Sequence, residues 1–279
     1  MNKPIIAIMY DFDKTLAVTD MQNFSFIPRL NLTPQEFWGE TEVIRTKFDM
    51  DKILSYMYTM ILECRKRNIP LTREYLNSCS EGIKYFDGIT TWFERINDYA
   101  EKNDVIVEHY IISSGNSEII EKCSIAKYFT KIFGCEFIYD DVTKEAVWPK
   151  TIVNYTLKTQ YIFRINKGVT QDNDDKAVNE KQKEKRVPFA NMIYIGDGLT
   201  DVPSMIMVKE NFGTSIAVYP NGQRDKVNSL FEDDRVNYIC KADYSKGSEI
   251  ETIVKLLIDT IGVRSKLEHK QEKIKKLLW

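Results

Sequence analysis

Short apolar runs alternate with stretches of helical period along this chain. Ile5-Ile6-Ala7-Ile8-Met9 is an apolar run bounded by polar residues, which predicts a buried strand. Tyr110-Ile111-Ile112, Asn191–Ile195 and Thr214–Tyr219 read the same way, and Tyr238-Ile239-Cys240 and Lys131-Ile132-Phe133 predict shorter strands. Glu136–Tyr139 and Ala146–Trp148 flank a polar turn, Asp140–Glu145, and predict a hairpin. Between the strands, Ile89–Lys102 sets Trp92, Phe93, Ile96, Tyr99 and Ala100 on one helical face. Glu118–Phe129 and Thr159–Ile165 predict further helices, with Lys158 just ahead of the second. Strands alternating with helices imply an α/β fold, a parallel sheet flanked by helices and joined by right-handed crossovers.

Residues 18–85 break this alternation. They hold no strand-like run. Thr33-Pro34-Gln35-Glu36 fits a capping box with proline at the first helical position, and Ile53, Leu54, Met57, Ile61 and Leu62 recur at helical spacing. The expected organisation is therefore a core of residues 1–17 and 86–279, with 18–85 as a helical domain inserted after the first strand. Residues 169–187 are almost wholly polar and predict a mobile, solvated loop. The stretch from Glu249 is helical, basic and partly amphipathic towards its end. Its Leu267, Ile274 and Leu278 are expected to pack on the core, the alternative being contact with another subunit.

Composition narrows the class. At 279 residues, 43% hydrophobic and 29% charged, the chain is long enough for a sizeable core and reads as globular and soluble. A formal charge of −2 argues against a general binder of nucleic acid or of anionic membranes. The five cysteines are scattered with no C-x-x-C, which argues against a zinc site or disulfide framework and predicts reduced thiols in a cytoplasmic protein. The first apolar run is too short for a signal peptide, and no stretch approaches the roughly 18 apolar residues of a membrane span. The two histidines are His109, beside a predicted strand, and His269, in a charged stretch. Chemistry must then rest on carboxylates, hydroxyls and lysine rather than on a histidine-centred triad.

The candidate chemistry lies at the strand ends, where open α/β sheets bind ligands. Asp11-Phe12-Asp13-Lys14-Thr15 follows the first strand, Ser113-Ser114-Gly115-Asn116 the second, and Gly196-Asp197-Gly198-Leu199-Thr200-Asp201 the third core strand. The D-x-D-x-T pattern alone would arise by chance in roughly one chain in twenty of this length, so its weight comes from the others in order. Gly196-Asp197-Gly198 lacks the third glycine of a dinucleotide-binding loop, and no G-x-x-x-x-G-K-[ST] loop occurs.

D-x-D-x-T, a hydrophobic strand ending in serine, a lysine and G-D-G-x-x-D, in that order, resemble the haloacid dehalogenase (HAD) superfamily over nearly the whole chain. The inserted helices and the hairpin ahead of Lys158 are most similar to the phosphoserine-phosphatase-like branch, with a helical cap on a Rossmann-like core. The resemblance implies a Mg²⁺-dependent phosphomonoesterase. In it Asp11 attacks phosphorus and forms an aspartyl-phosphate, and Asp13 protonates the leaving alcohol and then activates water. It implies a Mg²⁺ site of Asp11, the backbone carbonyl of Asp13 and Asp197, with Asp201 orienting the metal shell. Ser113 would bind the phosphoryl group, Ser114 being the fallback, and the N–H groups of Ser114 and Gly115 would add to it. Lys158 would neutralise phosphate and keep Asp11 ionised.

By the same resemblance, Asp13 argues against dehalogenases and P-type ATPases, which lack an acid at this second position. It leaves a phosphatase, a phosphomutase or phosphotransferase, or a non-catalytic phosphate-binding module on the same scaffold. Arg29, Glu36, Glu40, Arg45 and Lys47 are candidate substrate contacts. They do not match the serine-binding residues of phosphoserine phosphatase, which argues against phosphoserine, and a capped site implies a small phosphorylated metabolite. No nucleic-acid or membrane partner is expected, and nothing in the sequence sets the oligomeric state.

Overall fold

The computed structural model describes residues 3–171, 173–182 and 185–276. Strands β1 (Ile5–Tyr10), β2 (Ile106–Asn116), β3 (Phe129–Tyr139), β4 (Ala146–Thr151), β5 (Met192–Gly196), β6 (Thr214–Tyr219) and β7 (Tyr238–Lys241) form one sheet in the order β4-β3-β2-β1-β5-β6-β7. Every pairing is parallel except β3 with β4. β1 is central, and Ile6 to Tyr10 are all buried, as expected of a strand covered on both faces.

The first four helices lie between β1 and β2 in sequence. They are α1 (Phe26–Arg29), α2 (Pro34–Phe48), α3 (Lys52–Lys66) and α4 (Arg73–Ser78). Thr33 and Glu36 close a reciprocal capping box at the start of α2, and Asp51 caps α3 through the N–H groups of Ile53 and Leu54. The two ends of this segment meet. Val18 N–H donates to the Lys84 carbonyl (3.0 Å), Phe86 N–H donates to the Leu16 carbonyl (3.0 Å), and Ala17 bridges Tyr85. The remaining helices are α5 (Ile89–Lys102), α6 (Ser117–Ile120), α7 (Leu157–Lys167), α8 (Asp175–Asn179), α9 (Val202–Glu210), α10 (Asp225–Glu232) and α11 (Glu249–Lys276).

Four expectations change. The helix expected over 118–129 stops after the single turn of α6. Its buried apolar residues, Ile119, Ile120, Cys123 and Ile125, do not share one helical face. The short strand at 131–133 and the first arm of the hairpin are one strand, β3, which pairs in parallel with β2 and then antiparallel with β4. The polar segment 169–187 contains α8, and Lys167 Nζ donates to the Glu180 carbonyl (2.9 Å). Leu267 and Ile274 do not pack on the core: they are exposed, because the buried side of α11 is built from Ile250, Val254, Ile258 and Ile261. Leu278 lies outside the described residues.

All five cysteines are free and buried. No helix among the described residues is long and apolar enough to cross a membrane.

Candidate active site

The sheet converges its functional side chains at the carboxyl ends of β1, β2 and β5. Asp11 follows β1, and its backbone N–H continues the pairing by donating to the Ile195 carbonyl (2.9 Å). The Asp11 carboxylate accepts the Phe12 N–H (2.8 Å), and that of Asp13 accepts the Met21 N–H (2.7 Å). Directly after them the loop turns sharply, with Lys14 in the left-handed region at φ 59°. Asp201 is the N-terminal flanking residue of α9 and folds back beneath the end of β5. Gly196 makes room for it, since a β-carbon there would lie 2.6 Å from the Asp201 carboxyl carbon.

Lys158, in the first turn of α7, joins the two ends. It is fully buried, and its Nζ lies 3.1 Å from Asp11 Oδ1 and 2.7 Å from Asp201 Oδ1. Tyr194 of β5 donates a second hydrogen bond to Asp201 Oδ1 (2.7 Å). Asp201 Oδ2 is buried with no partner. Carboxylate oxygens of Asp11, Asp197 and Asp201 lie within 4.8 Å of one another.

These acids are crowded. Burial pushes the Asp11 carboxyl up to about 6 against the pull of Lys158, with Asp201 adding to the rise. Burial and then Asp201 push Asp197 up to about 8. Asp13 is raised well above the usual carboxylate range by burial and by Asp20. Burial opposes the Lys158 charge, but Asp11 and Asp201 outweigh it and hold the ammonium charged. Three converging carboxylates answered by one lysine, with a buried oxygen facing no donor, fit a hard divalent cation, which oxygen ligands bind. Asp11, Asp197 and Asp201 are the carboxylates placed to hold it.

The phosphate-side expectations change in detail. Ser113 does not end β2; Ser113, Ser114 and Gly115 lie in its last part, where pairing with β3 is interrupted between Ile112 and Asn116. The Gly115 N–H is not available to a ligand, because it donates to Ser113 Oγ (3.0 Å). Ser113 keeps its own hydroxyl hydrogen to donate. Ser113 and Ser114 both line the cavity over the acids, and Ser114 Oγ is buried without a partner.

That cavity, of about 560 Å³, is bounded by Asp11, Asp13, Ser113, Ser114 and Asp197 on the sheet side. Its other wall is helical, with Trp38, Thr41 and Glu42 from α2 and Lys52, Ile53 and Tyr56 from α3. Lys14, Asp20, Tyr155 and Leu199 are among the other residues that line it. None of Arg29, Glu36, Glu40, Arg45 and Lys47 lines it, so the expected substrate contacts are replaced. Arg29 bonds Ser78, Glu36 caps α2, Glu40 pairs with Lys66, Arg45 pairs with Glu42, and Lys47 lies over the Phe48 ring. The helical wall is fastened to the floor by Tyr56, whose hydroxyl donates to the Ser114 carbonyl (2.7 Å), and by Gln22, whose amide donates to Asn116 Oδ1 (3.1 Å). Sequence reasoning missed Tyr56 and Tyr194, since each sits in an apolar pattern where tyrosine is ordinary core.

The fold, a seven-stranded, mostly parallel sheet flanked by helices, matches that of HAD-family hydrolases. Among solved structures the chain is similar to a HAD-family hydrolase from Salmonella enterica serovar Typhi, at 16% identity over 85% of this chain and 67% of that one, TM-score 0.55. It is similar to a substrate-bound phosphoserine phosphatase complex, at 14% identity over 91% and 99%, TM-score 0.53. It is also similar to a probable phosphoserine phosphatase from Vibrio cholerae, at 10% identity over 95% and 67%, TM-score 0.58. An uncharacterized protein of Borreliella burgdorferi is 27% identical over 274 residues, which cover 88% of this chain and 94% of that protein. No family model matches the chain.

Proposed function

We propose that the protein is a Mg²⁺-dependent phosphomonoester hydrolase working through an aspartyl-phosphate. The observation that carries the reading is the convergence of Asp11, Asp197 and Asp201 around one point, with Lys158 bridging Asp11 and Asp201 and Asp201 Oδ2 left unpartnered. Mg²⁺ bound by these carboxylates, with the Asp13 backbone carbonyl, would offset the repulsion between a phosphate dianion and the Asp11 carboxylate.

The residues then divide the work. Asp11 forms a bond to phosphorus as the ester P–O bond breaks. Asp13, raised by burial and by Asp20, holds a proton and delivers it to the departing alkoxide. In the second half Asp13 takes a proton from water, the water oxygen bonds to phosphorus, and the Asp11–phosphorus bond breaks. This returns both acids to their starting states and releases inorganic phosphate. Ser113 donates its hydroxyl to a phosphoryl oxygen. Lys158 lends positive charge to Asp11 and the phosphoryl group. Helices α2 and α3 act as the cap that screens the reaction from bulk water, and the cavity volume suits a small organic phosphate.

The test is phosphate release from p-nitrophenyl phosphate, phosphoserine, phosphocholine, sugar phosphates and nucleotides, with Mg²⁺ or with EDTA. Release that needs the metal and vanishes in Asp11→Asn supports the reading. Hydrolysis undiminished in Asp11→Asn, or indifferent to EDTA, overturns it.

A further inference from the structure

Helix α11 carries two opposed apolar stripes. At about 100° per residue, Ile250, Val254, Ile258 and Ile261 fall on one side and are buried in the core. Leu256, Val263, Leu267 and Ile274 fall on the other side and are between 57% and 63% exposed. They align along roughly 27 Å of helix, at the usual rise per residue. Beyond Gly262 the helix leaves the core, and none of the described residues from Val263 on is buried.

The charges beside the outer stripe decide what covers it. Lys266, Lys270 and Lys273 line one edge and Lys275 the other, all exposed, and no ion pair among the described residues engages them. Glu272 lies on the side away from the stripe, and Glu268 lies beside Lys275 at the other edge. Asp259, on the lysine edge nearer the core, is held by the Tyr99 hydroxyl (2.9 Å). Arg264 is turned to the protein, donating to the Ala190 carbonyl (3.0 Å).

A second copy fits this face badly. Written as heptads, Thr260, Leu267 and Ile274 take the a positions, and Leu256, Val263 and Lys270 the d positions. A lysine would then sit in the seam. Asp259, the acid that shares the g positions with Lys266 and Lys273, is already held by Tyr99, and in a parallel pair Lys266 would meet the uncharged Gln271 at e. Nucleic acid would answer the lysines and leave the apolar stripe in water. A surface that is apolar within and anionic at its boundary answers both, because lysine stems reach outward from an apolar face to charged headgroups.

We propose that the outer face of α11 docks the protein on an anionic lipid surface, lying in the headgroup plane without crossing the bilayer. The proposal stands apart from the reading of the active site.

The test is co-sedimentation of the full chain with vesicles of phosphatidylcholine alone or of an equimolar mixture with phosphatidylglycerol, at low and high salt. Binding is expected to the mixed vesicles only and to weaken with salt. The double variant Leu267→Glu/Ile274→Glu should bind at least about ten-fold less well. Replacing Lys266, Lys270 and Lys273 by glutamine should cost on the order of a hundred-fold. All these side chains are exposed, so the melting temperature should hold in both variants and verify the fold. Equal binding to both kinds of vesicle, binding unchanged in either variant, or no binding at all would overturn the proposal. So would a dimer in solution that Leu267→Glu/Ile274→Glu dissolves, which would make the face a contact between copies.

Discussion

Two buried polar clusters leave β1 at adjacent residues and end differently. At Tyr10 the cluster is neutral and closed. Trp92 Nε1–H donates to the Tyr10 hydroxyl (2.9 Å), that hydroxyl donates to His109 Nδ1 (3.0 Å), and His109 Nε2–H donates to Asn97 Oδ1 (3.0 Å). At Asp11 the cluster is charged and open. Its lysine is shared between two carboxylates, and Asp201 Oδ2 faces no donor. A satisfied buried network rigidifies a fold, whereas an unsatisfied one marks where a ligand completes the bonding. Depth and strand are the same, so the difference separates a structural cluster from a chemical one.

The sharpest way to break the comparison is Asp11→Asn. If Asp11 is the nucleophile, its removal should lower phosphate release by at least about 10³-fold. Removing one of several crowded carboxylates should leave the thermal midpoint unchanged or raise it. Activity assays beside a melt test both halves. A variant that keeps turnover and loses stability would place Asp11 with Tyr10, as structure rather than chemistry.

Metal comes next in size. Because the cation would bind only the folded site, Mg²⁺ at a hundred times its dissociation constant should stabilise the protein by about 2.7 kcal/mol. Asp197→Asn should abolish that response. Thermal melts with Mg²⁺ and with EDTA read it directly, and an identical Mg²⁺ shift in both proteins would remove Asp197 from the site.

The closed cluster makes its own prediction with pH. Burial holds His109 neutral, with its pKa lowered to about 3 from an ordinary 6.5. Between those values the unfolded chain binds a proton that the folded chain refuses. Stability is therefore full above pH 6.5 and falls as the pH drops towards 3. From pH 7 to pH 5 the loss should be about 2 kcal/mol for this one group. His109→Gln should flatten the curve across that interval in denaturant titrations, and an equal slope in both proteins would mean that another group carries it.

The floor of the site was legible because strand ends are legible. Apolar runs locate β1, β2 and β5, and the polar residues directly after them, Asp11, Asp13, Ser113, Asp197 and Asp201, lie together with Lys158. The helical wall was not legible. Thr41, Glu42, Arg45 and Lys47 are polar neighbours on α2, and period alone does not say which of them turns to a cavity and which to a partner on the surface. Glu42 lines the cavity while paired to Arg45, which does not. Helix α11 misleads for a related reason. Apolar residues on two opposite sides leave its inward face undetermined, and the inner set, Ile250 to Ile261, occupies the core. The segment 118–129 fails because Ile125 is buried like Ile119, Ile120 and Cys123 yet would fall on the opposite side of a continuous helix from them.

Tyr194 gives the smallest expected effect and the finest division between the two kinds of cluster. It belongs to an apolar strand and is fully buried, so packing alone would account for it. Its hydroxyl nevertheless donates to the Asp201 oxygen that also takes Lys158, and so helps to hold that carboxylate beside Asp11 and Asp197. Tyr194→Phe keeps the ring and removes only that donor. If the hydroxyl orients Asp201 for the cation, Mg²⁺ affinity measured by calorimetry should fall about ten-fold, in the range typical of partners that orient metal ligands. Turnover at saturating Mg²⁺ should change little, since Lys158 still holds the same oxygen. If Tyr194 only fills space, the affinity stays as it was. A fall in turnover with the affinity intact would instead place the hydroxyl's influence on Lys158 and Asp11, at the reacting group itself.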